Sequence, residues 1–244
     1  MITGIYRLAD WTIQITSVYE AVHKLCAEYQ TNESQQDFSV QTSASDITFE
    51  REKSAREDVT EGNIIRNFHD AYLETLAVYR KIAEQMPVYD TVLFHGSCVA
   101  VDGEGYLFTA KSGTGKSTHA RLWREFLGDK VLMINDDKPL IRITNEGAKV
   151  YGTPWDGKHH LSTNTSVPLK SICILERAKE NIIRPISMGE AYPMLLQQIY
   201  RPINEDAMAK TLSLIDRLVA SVSLWRLGCN MDPEAAHISY QAMK

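Results

Sequence analysis

The chain has 244 residues, of which 44% are hydrophobic and 23% charged, so it is long and apolar enough to bury a core without disulfide or metal staples. Lysine and arginine number 26 against 31 aspartate and glutamate, a net charge of −5, which argues against a uniformly basic nucleic-acid protein. No apolar run approaches the roughly 18 residues of a membrane helix, no secretory signal opens the chain, and Cys26, Cys98, Cys173 and Cys229 form no C-x-x-C pair. The expectation is a cytoplasmic protein with reduced thiols, and with no membrane or nucleic-acid partner.

In chain order, residues 1–60 read as a small α+β segment. Trp11, Ile13 and Ile15 alternate as in a strand, and Val22, Leu25, Cys26 and Tyr29 have helical spacing. Phe38-Ser39-Val40 and Ile47-Thr48-Phe49 read as two further strands. Glu50 to Glu61 is densely charged and reads as a solvated face or linker. Residues 61–90 read as a connecting helix. Ile65, Phe68, Tyr72, Leu76, Tyr79, Ile82 and Met86 form its apolar stripe, and Pro87 stops it.

Residues 91–244 read as the main domain. Thr91–Val101 and Tyr106–Thr109 are predicted strands, joined through the turn Asp102-Gly103-Glu104-Gly105. A helix follows from about Lys116 to Leu127, then strands at Val131–Ile134, Leu140–Ile143, Lys149–Tyr151 and Ser171–Leu175. The C-terminal part is helical. Its first helix opens at the capping-box pattern Ser187-Met188-Gly189-Glu190. A second runs from about Asn204 to Val222. After a short strand at Ser223–Leu227, the last opens at Asp232 and Pro233.

The sharpest motif is Ala110-Lys111-Ser112-Gly113-Thr114-Gly115-Lys116-Ser117-Thr118, of the phosphate-loop form [AG]-x-x-x-x-G-K-[ST]. Glycines let backbone amides ring a polyphosphate, and the following helix adds the positive end of its dipole. Lys116 reaches the β- and γ-phosphates, and the Ser117 hydroxyl can ligate Mg²⁺. Val131-Leu132-Met133-Ile134-Asn135-Asp136-Asp137 supplies acids at a strand end, suited to metal coordination and to taking a proton from an acceptor hydroxyl. The hairpin sets His95 beside the strand that feeds the loop, near the acidic pair. Tyr151 to His160 gathers turn formers, an aromatic and a cation, so Trp155 and Lys158 are candidate substrate contacts. A metal site at His159 and His160 is not expected, because adjacent residues point apart.

Phe94-His95-Gly96-Ser97-Cys98-Val99, the Asp-Gly-Glu-Gly turn, the loop 110–118 and Ile-Asn-Asp-Asp together resemble the catalytic domain of bacterial HPr kinase/phosphorylase over about residues 91–145. The loop is also similar to that of ATP-dependent phosphoenolpyruvate carboxykinase. The resemblance implies an α/β fold with a mixed sheet and flanking helices, an ATP and Mg²⁺ requirement, and the tendency to form homo-oligomers. It implies that Lys116 neutralises the transferring phosphoryl, that Ser117 and Asp137 form the metal side, and that Asp136 is the base, with His95 beside it. The family's R-G-L-G-I-I-N-type segment is not found downstream; Gly152 to Lys158 stands roughly in its place. A hairpin before the loop and the absence of N-K-x-D separate the chain from small GTPases.

The function expected is transfer of the γ-phosphoryl of ATP to a hydroxyl of a protein or small molecule. The alternative is a non-catalytic nucleotide-binding regulatory module, or an adaptor with residues 1–60 as its docking part.

Overall fold

The computed structural model describes residues 1–60 and 62–244, so Glu61, the end of the charged run, lies outside the described residues. The chain divides into two units, Met1–Ala83 and Glu84–Lys244.

In the first unit β1 (Ile2–Leu8) and β2 (Trp11–Ser17) form an antiparallel hairpin. β3 (Phe38–Gln41) adds to β2 in parallel, after the short helix α1 (Ala21–Leu25). Ile13 and Ile15 are fully buried, as their alternation predicts. Ile47-Thr48-Phe49, expected as a strand, instead lies in helix α2 (Ala44–Thr60). Ser43 starts that helix: its backbone amide donates to Asp46 Oδ2 at 3.0 Å, and the amides of Asp46 and Ile47 return to its carbonyl. This is one half of a capping box, with the Ser43 hydroxyl also donating to Asp46 Oδ2 at 2.9 Å, and it outweighs the strand preference of three residues.

The charged run is not a linker. It is most of α2, and two of its carboxylates are buried. Glu50 meets the Arg80 guanidinium at 2.5 Å, and Asp58 meets that of Arg66 at 2.6 Å. Helix α3 (Asp70–Gln85) starts later than its stripe predicts, because Arg66 folds the preceding segment back onto Asp58, donating from its backbone amide as well at 2.9 Å. The buried face of α3 carries Leu73, Ala77, Val78, Tyr79 and Ile82, while Tyr72 and Ile65 stay exposed. Glu74, fully buried, accepts from the amides of Val18 and Tyr19 and from the Thr42 hydroxyl.

The second unit is a mixed α/β sheet with helices on both faces. Its strands are β4 (Thr91–Leu93), β5 (Ser97–Val101), β6 (Glu104–Thr109), β7 (Val131–Asn135), β8 (Leu140–Thr144), β9 (Gly147–Tyr151), β10 (Ser166–Arg177), β11 (Ile182–Pro185) and β12 (Ser223–Cys229). The sheet runs β4-β8-β9-β10-β6-β5-β7, with β12 alongside β10 and β11 alongside β12. β5 and β6 are antiparallel and joined by a tight turn in which Asp102 and Gly103 both have positive φ, as a two-residue hairpin requires. β10 is long enough to pair β9 near its start and then β6 and β12, both in parallel.

The helices are α4 (Lys116–Leu127), α5 (Met188–Gln198), α6 (Glu205–Ser221) and α7 (Glu234–Met243). Central strands bury both faces, so they read as continuous apolar runs. Cys98, Ala100, Leu107, Ile172 and Ile174 point to one side, where Leu195, Leu214, Ile215 and Leu218 of α5 and α6 cover them. Val99, Val101, Tyr106, Phe108, Cys173 and Leu175 point to the other, under Trp123 of α4 and Ala235, Ala236 and Met243 of α7. Ser187 caps α5 and Asn204 caps α6, each accepting a backbone amide. Among the described residues no helix is long and apolar enough to cross a membrane.

The predicted strand Thr91–Val101 is broken in the middle. Phe94 donates to the Pro139 carbonyl and His95 to that of Gln198, so the backbone leaves one strand partner and joins another. Gly96 permits the crossing, since a Cβ there would sit 3.0 Å from the Phe108 carbonyl oxygen. His95 therefore lies at a seam and not within a strand.

Candidate functional site

Three chain segments converge where β6 and β7 end and β5 begins, near the start of α4. The first is the glycine-rich loop between β6 and α4. It opens with a turn in which the Thr114 amide donates to the Lys111 carbonyl at 3.2 Å, with Gly113 at φ +72° in its third position. Gly115, at φ +125°, turns the chain into α4. As a glycine, the N-cap offers no side chain to the amides at that helix start.

Lys116 follows at once. It is 9% exposed, and its ammonium donates to the Ala110 carbonyl at 3.2 Å, across the width of the loop. Burial lowers the Lys116 pKa, against the opposing pull of the Asp137 and Asp136 carboxylates. It forms no ion pair within 4.0 Å among the described residues.

The second segment is the turn after β7. Asn135 shapes it: its side-chain oxygen accepts from the amides of Asp137 and Lys138 at 2.9 and 2.7 Å. Its Nδ2 donates to the carbonyl and hydroxyl of Thr153 at 3.0 and 3.1 Å. Asp136, 7% exposed, accepts from the Ser97 hydroxyl at 2.7 Å and lies against that of Ser117. Burial raises its pKa, while the two serines and the charge of His159 work in the other direction.

Asp137 is more open. Its carboxylate lies 3.4 Å from His95 Nε2 and 3.6 Å from the Lys138 ammonium. Burial, with the charge of Lys116, pulls His95 down to about 4, against Asp137 and with Lys138, so its ring is neutral near pH 7. The structure thus brings His95 to Asp137 and leaves Asp136 to the two serines.

The third segment is the stretch from Gly152 to His160. Gly152 packs so closely that a Cβ would sit 1.9 Å from the Thr163 carbonyl oxygen. Gly157, at φ +77°, brings the backbone up to Asp137, whose Cβ would lie 3.1 Å from a Gly157 Cβ. Trp155 is buried; Lys158, His159 and His160 are exposed. His160 and Ser162 fix the buried Asp156 at 3.3 and 2.8 Å.

The residues singled out in the sequence at the loop, at the acidic pair and at His95 therefore gather in one place. Ser97, Asn135 and Thr153 hold that place together. Their only signal in the sequence is small polar residues interrupting apolar strands. Arg177, at the end of β10, is a further addition. β10 pairs β6 with Ile174 opposite Thr109, so Arg177 falls beside the loop, where it donates to the Gly113 carbonyl at 2.5 Å.

The donor set fits a divalent cation held partly by substrate. Among the described residues no three or more His, Cys, Asp or Glu side chains gather as a cage. A hydroxyl beside a carboxylate is what Mg²⁺ takes from a protein when phosphate oxygens and water complete its octahedron.

One solved structure that the chain matches is the Hpr(Ser) kinase/phosphatase from Coxiella burnetii, at 10% identity and a TM-score of 0.36, over 62% of this chain and 93% of that one. No curated protein matches the chain. Residues 65–213, more than half of the chain, match the model of the family described as SynChlorMet cassette protein ScmC, and the protein belongs to that family.

Proposed function

We propose that the protein binds ATP with Mg²⁺ at the loop 110–118 and transfers the γ-phosphoryl group to a hydroxyl of a protein or small-molecule acceptor. The observation that carries this reading is the meeting of Lys116, Ser117 and Asp136 at the end of β6 and β7, with neutral oxygens as the partners of both buried charges.

Gly113, Gly115 and the first turn of α4 offer amides to the phosphates. Lys111 adds charge at the loop entrance. The Lys116 ammonium rests on the Ala110 carbonyl, and a β,γ-phosphate is a stronger partner for it. Ser117 and Asp136 would hold the metal, which supplies charge neutralisation across the phosphates.

The resemblance gives the base to Asp136 and the metal to Asp137. The contacts favour the reverse division. Asp136 is enclosed by Ser97 and Ser117, whereas Asp137 faces outward beside His95. In the step itself the acceptor O–H proton passes to the Asp137 carboxylate. The acceptor oxygen bonds to the γ-phosphorus, the bond from that phosphorus to its bridging oxygen breaks, and ADP leaves with the electron pair. His95 holds the Asp137 carboxylate in place. Trp155 and Lys158 remain the candidate contacts to the acceptor.

The test is transfer from γ-labelled ATP with Mg²⁺ into a host extract, with Lys116→Ala and Asp136→Asn beside wild type. Labelling that disappears in Lys116→Ala and falls in Asp136→Asn supports the transferase. Tight ATP binding without transfer or hydrolysis supports the regulatory or adaptor module instead. Absence of nucleotide binding by wild type overturns the reading altogether.

A further inference from the structure

Arg177 is the last residue of β10, and its side chain is exposed. Its neighbours' charges are taken elsewhere: Glu176 is held by Arg226 at 2.5 Å, and Arg226 also reaches Glu190 at 3.4 Å. Among the described residues Arg177 forms no ion pair. Its one hydrogen bond crosses 64 residues of sequence to a carbonyl at the crest of the glycine-rich loop. A long, charged side chain at a strand end ordinarily lies in solvent with its rotamers free. Holding one against a backbone carbonyl costs conformational entropy.

The bond falls on a particular peptide group. The Gly113–Thr114 peptide has its carbonyl on Arg177 and its amide on the Lys111 carbonyl. Gly113 is in the left-handed region at φ +72° with open space where a Cβ would be. A glycine there gains no packing and loses the most chain entropy on ordering. Without Arg177, only the turn bond from the Thr114 amide to the Lys111 carbonyl holds this peptide, and the glycine before it lets it flip. A flipped peptide would turn its carbonyl inward, where an anion needs amides.

We infer that Arg177 is a positioning residue for the glycine-rich loop: by clamping the Gly113 carbonyl from outside, it holds the loop amides in the orientation that a polyphosphate requires. This inference rests on the nucleotide-binding reading of the loop. A guanidinium on a carbonyl is a charge-assisted bond, so its loss weakens binding on the order of tenfold. The effect falls on the affinity for ATP and not on the transfer step, because the guanidinium's partner is backbone and not the reacting group.

The experiment compares wild type, Arg177→Ala and Arg177→Lys by two measurements. The first is backbone hydrogen exchange over residues 110–115 in nucleotide-free protein. The second is binding of a fluorescent ATP analogue, with the KM for ATP and kcat measured wherever turnover is present. Arg177→Ala is expected to speed exchange in the loop and raise Kd and KM about tenfold, with kcat within about twofold of wild type. Arg177→Lys, which keeps one donor and the charge, is expected to restore most of both.

Unchanged exchange and unchanged Kd in Arg177→Ala overturn the clamp. A fall in kcat at constant KM also overturns it, since the guanidinium would then act on the transferring group. So does a lysine variant as weak as alanine, since one donor to one carbonyl would then not be what matters. If wild type binds no nucleotide, the reading of the site fails, while the exchange data still decide whether Arg177 orders the loop.

Discussion

In Met1–Ala83 the buried carboxylates of Glu50 and Asp58 each meet a guanidinium, and that of Glu74 meets two amides and a hydroxyl. In Glu84–Lys244 the buried Lys116 ammonium meets a neutral carbonyl, and the buried Asp136 carboxylate meets serine hydroxyls. The first arrangement satisfies each charge and so locks the helices that carry it. The second leaves two opposite charges near each other, desolvated and only partly compensated. Such groups gain most when a ligand brings the missing charge. Buried charge is scaffold in one unit and, on the proposed reading, chemistry in the other, and substitutions should separate the two.

The largest effect is expected at Lys116. Lys116→Met should lower phosphoryl transfer on the order of 100-fold or more, as removal of a charge-stabilising donor does. It should leave the thermal midpoint unchanged or raised, because a desolvated ammonium is exchanged for an apolar chain of similar length. Lost activity together with a lowered midpoint would place Lys116 with the scaffold charges.

Arg80→Ala should do the opposite. Arg80 is 18% exposed in its side chain; it pairs with Glu50 and Asp46 and lies 4.5 Å from the Phe49 ring centroid. Its removal takes the nearest partner from a carboxylate that is 2% exposed and leaves it only Lys53 at 3.8 Å, a loss of about 3 kcal/mol by chemical denaturation. Gly152→Ala should cost about 1–3 kcal/mol or more, since a Cβ meets the Thr163 and Ile134 carbonyl oxygens at 1.9 and 2.8 Å and backbone must move. That shift should also reach the site, because the same stretch carries Thr153 and Gly157 against Asn135 and Asp137.

The acidic pair sharpens the comparison within the site. Asp136→Asn should raise the Mg²⁺ concentration needed for half-maximal turnover. Asp137→Asn should lower kcat on the order of 10²-fold with that concentration little changed. Equal shifts in both parameters for both variants would remove the division of roles.

The same contrast explains what the sequence reveals. The candidate site is legible because its residues are local in sequence. The loop 110–118 is contiguous, the Asp102-Gly103 turn fixes which strands pair, and the acids end the next apolar run. Helix α4 starts at Lys116 and ends at Leu127, where its pattern puts it. What escaped is what depends on distant partners. Glu50 and Asp58 look like solvated charge until Arg80 and Arg66 are placed beside them. The start of α3 is set by Arg66 reaching back to α2, which no periodicity records. Ser43-Ala44-Ser45-Asp46 did carry a local signal for α2, a capping box followed by a charged run that can form i,i+4 pairs such as Arg56 with Glu52. In the second unit the break at His95 follows from the strand changing partners, and Arg177 comes to the loop only through the parallel pairing of β10 with β6.

The smallest effect concerns acid. The Arg66 guanidinium and backbone amide hold the Asp58 carboxyl below the usual carboxylate range. A carboxyl depressed in the folded state stabilises fully above its unfolded pKa, near 4, and its contribution is lost as pH falls through the lower folded value. The helix pair α2 and α3 should therefore loosen below about pH 4, and stability at pH 6 should be indifferent to small pH changes through this group. Asp58→Asn removes the titrating carboxyl and leaves Arg66 a weaker acceptor. It should lower the urea midpoint at pH 6 and reduce the further drop between pH 6 and pH 3. If the variant loses as much between those pH values as wild type does, Asp58 is not among the groups through which acid acts, and its pairing with Arg66 serves only to place the segment before α3.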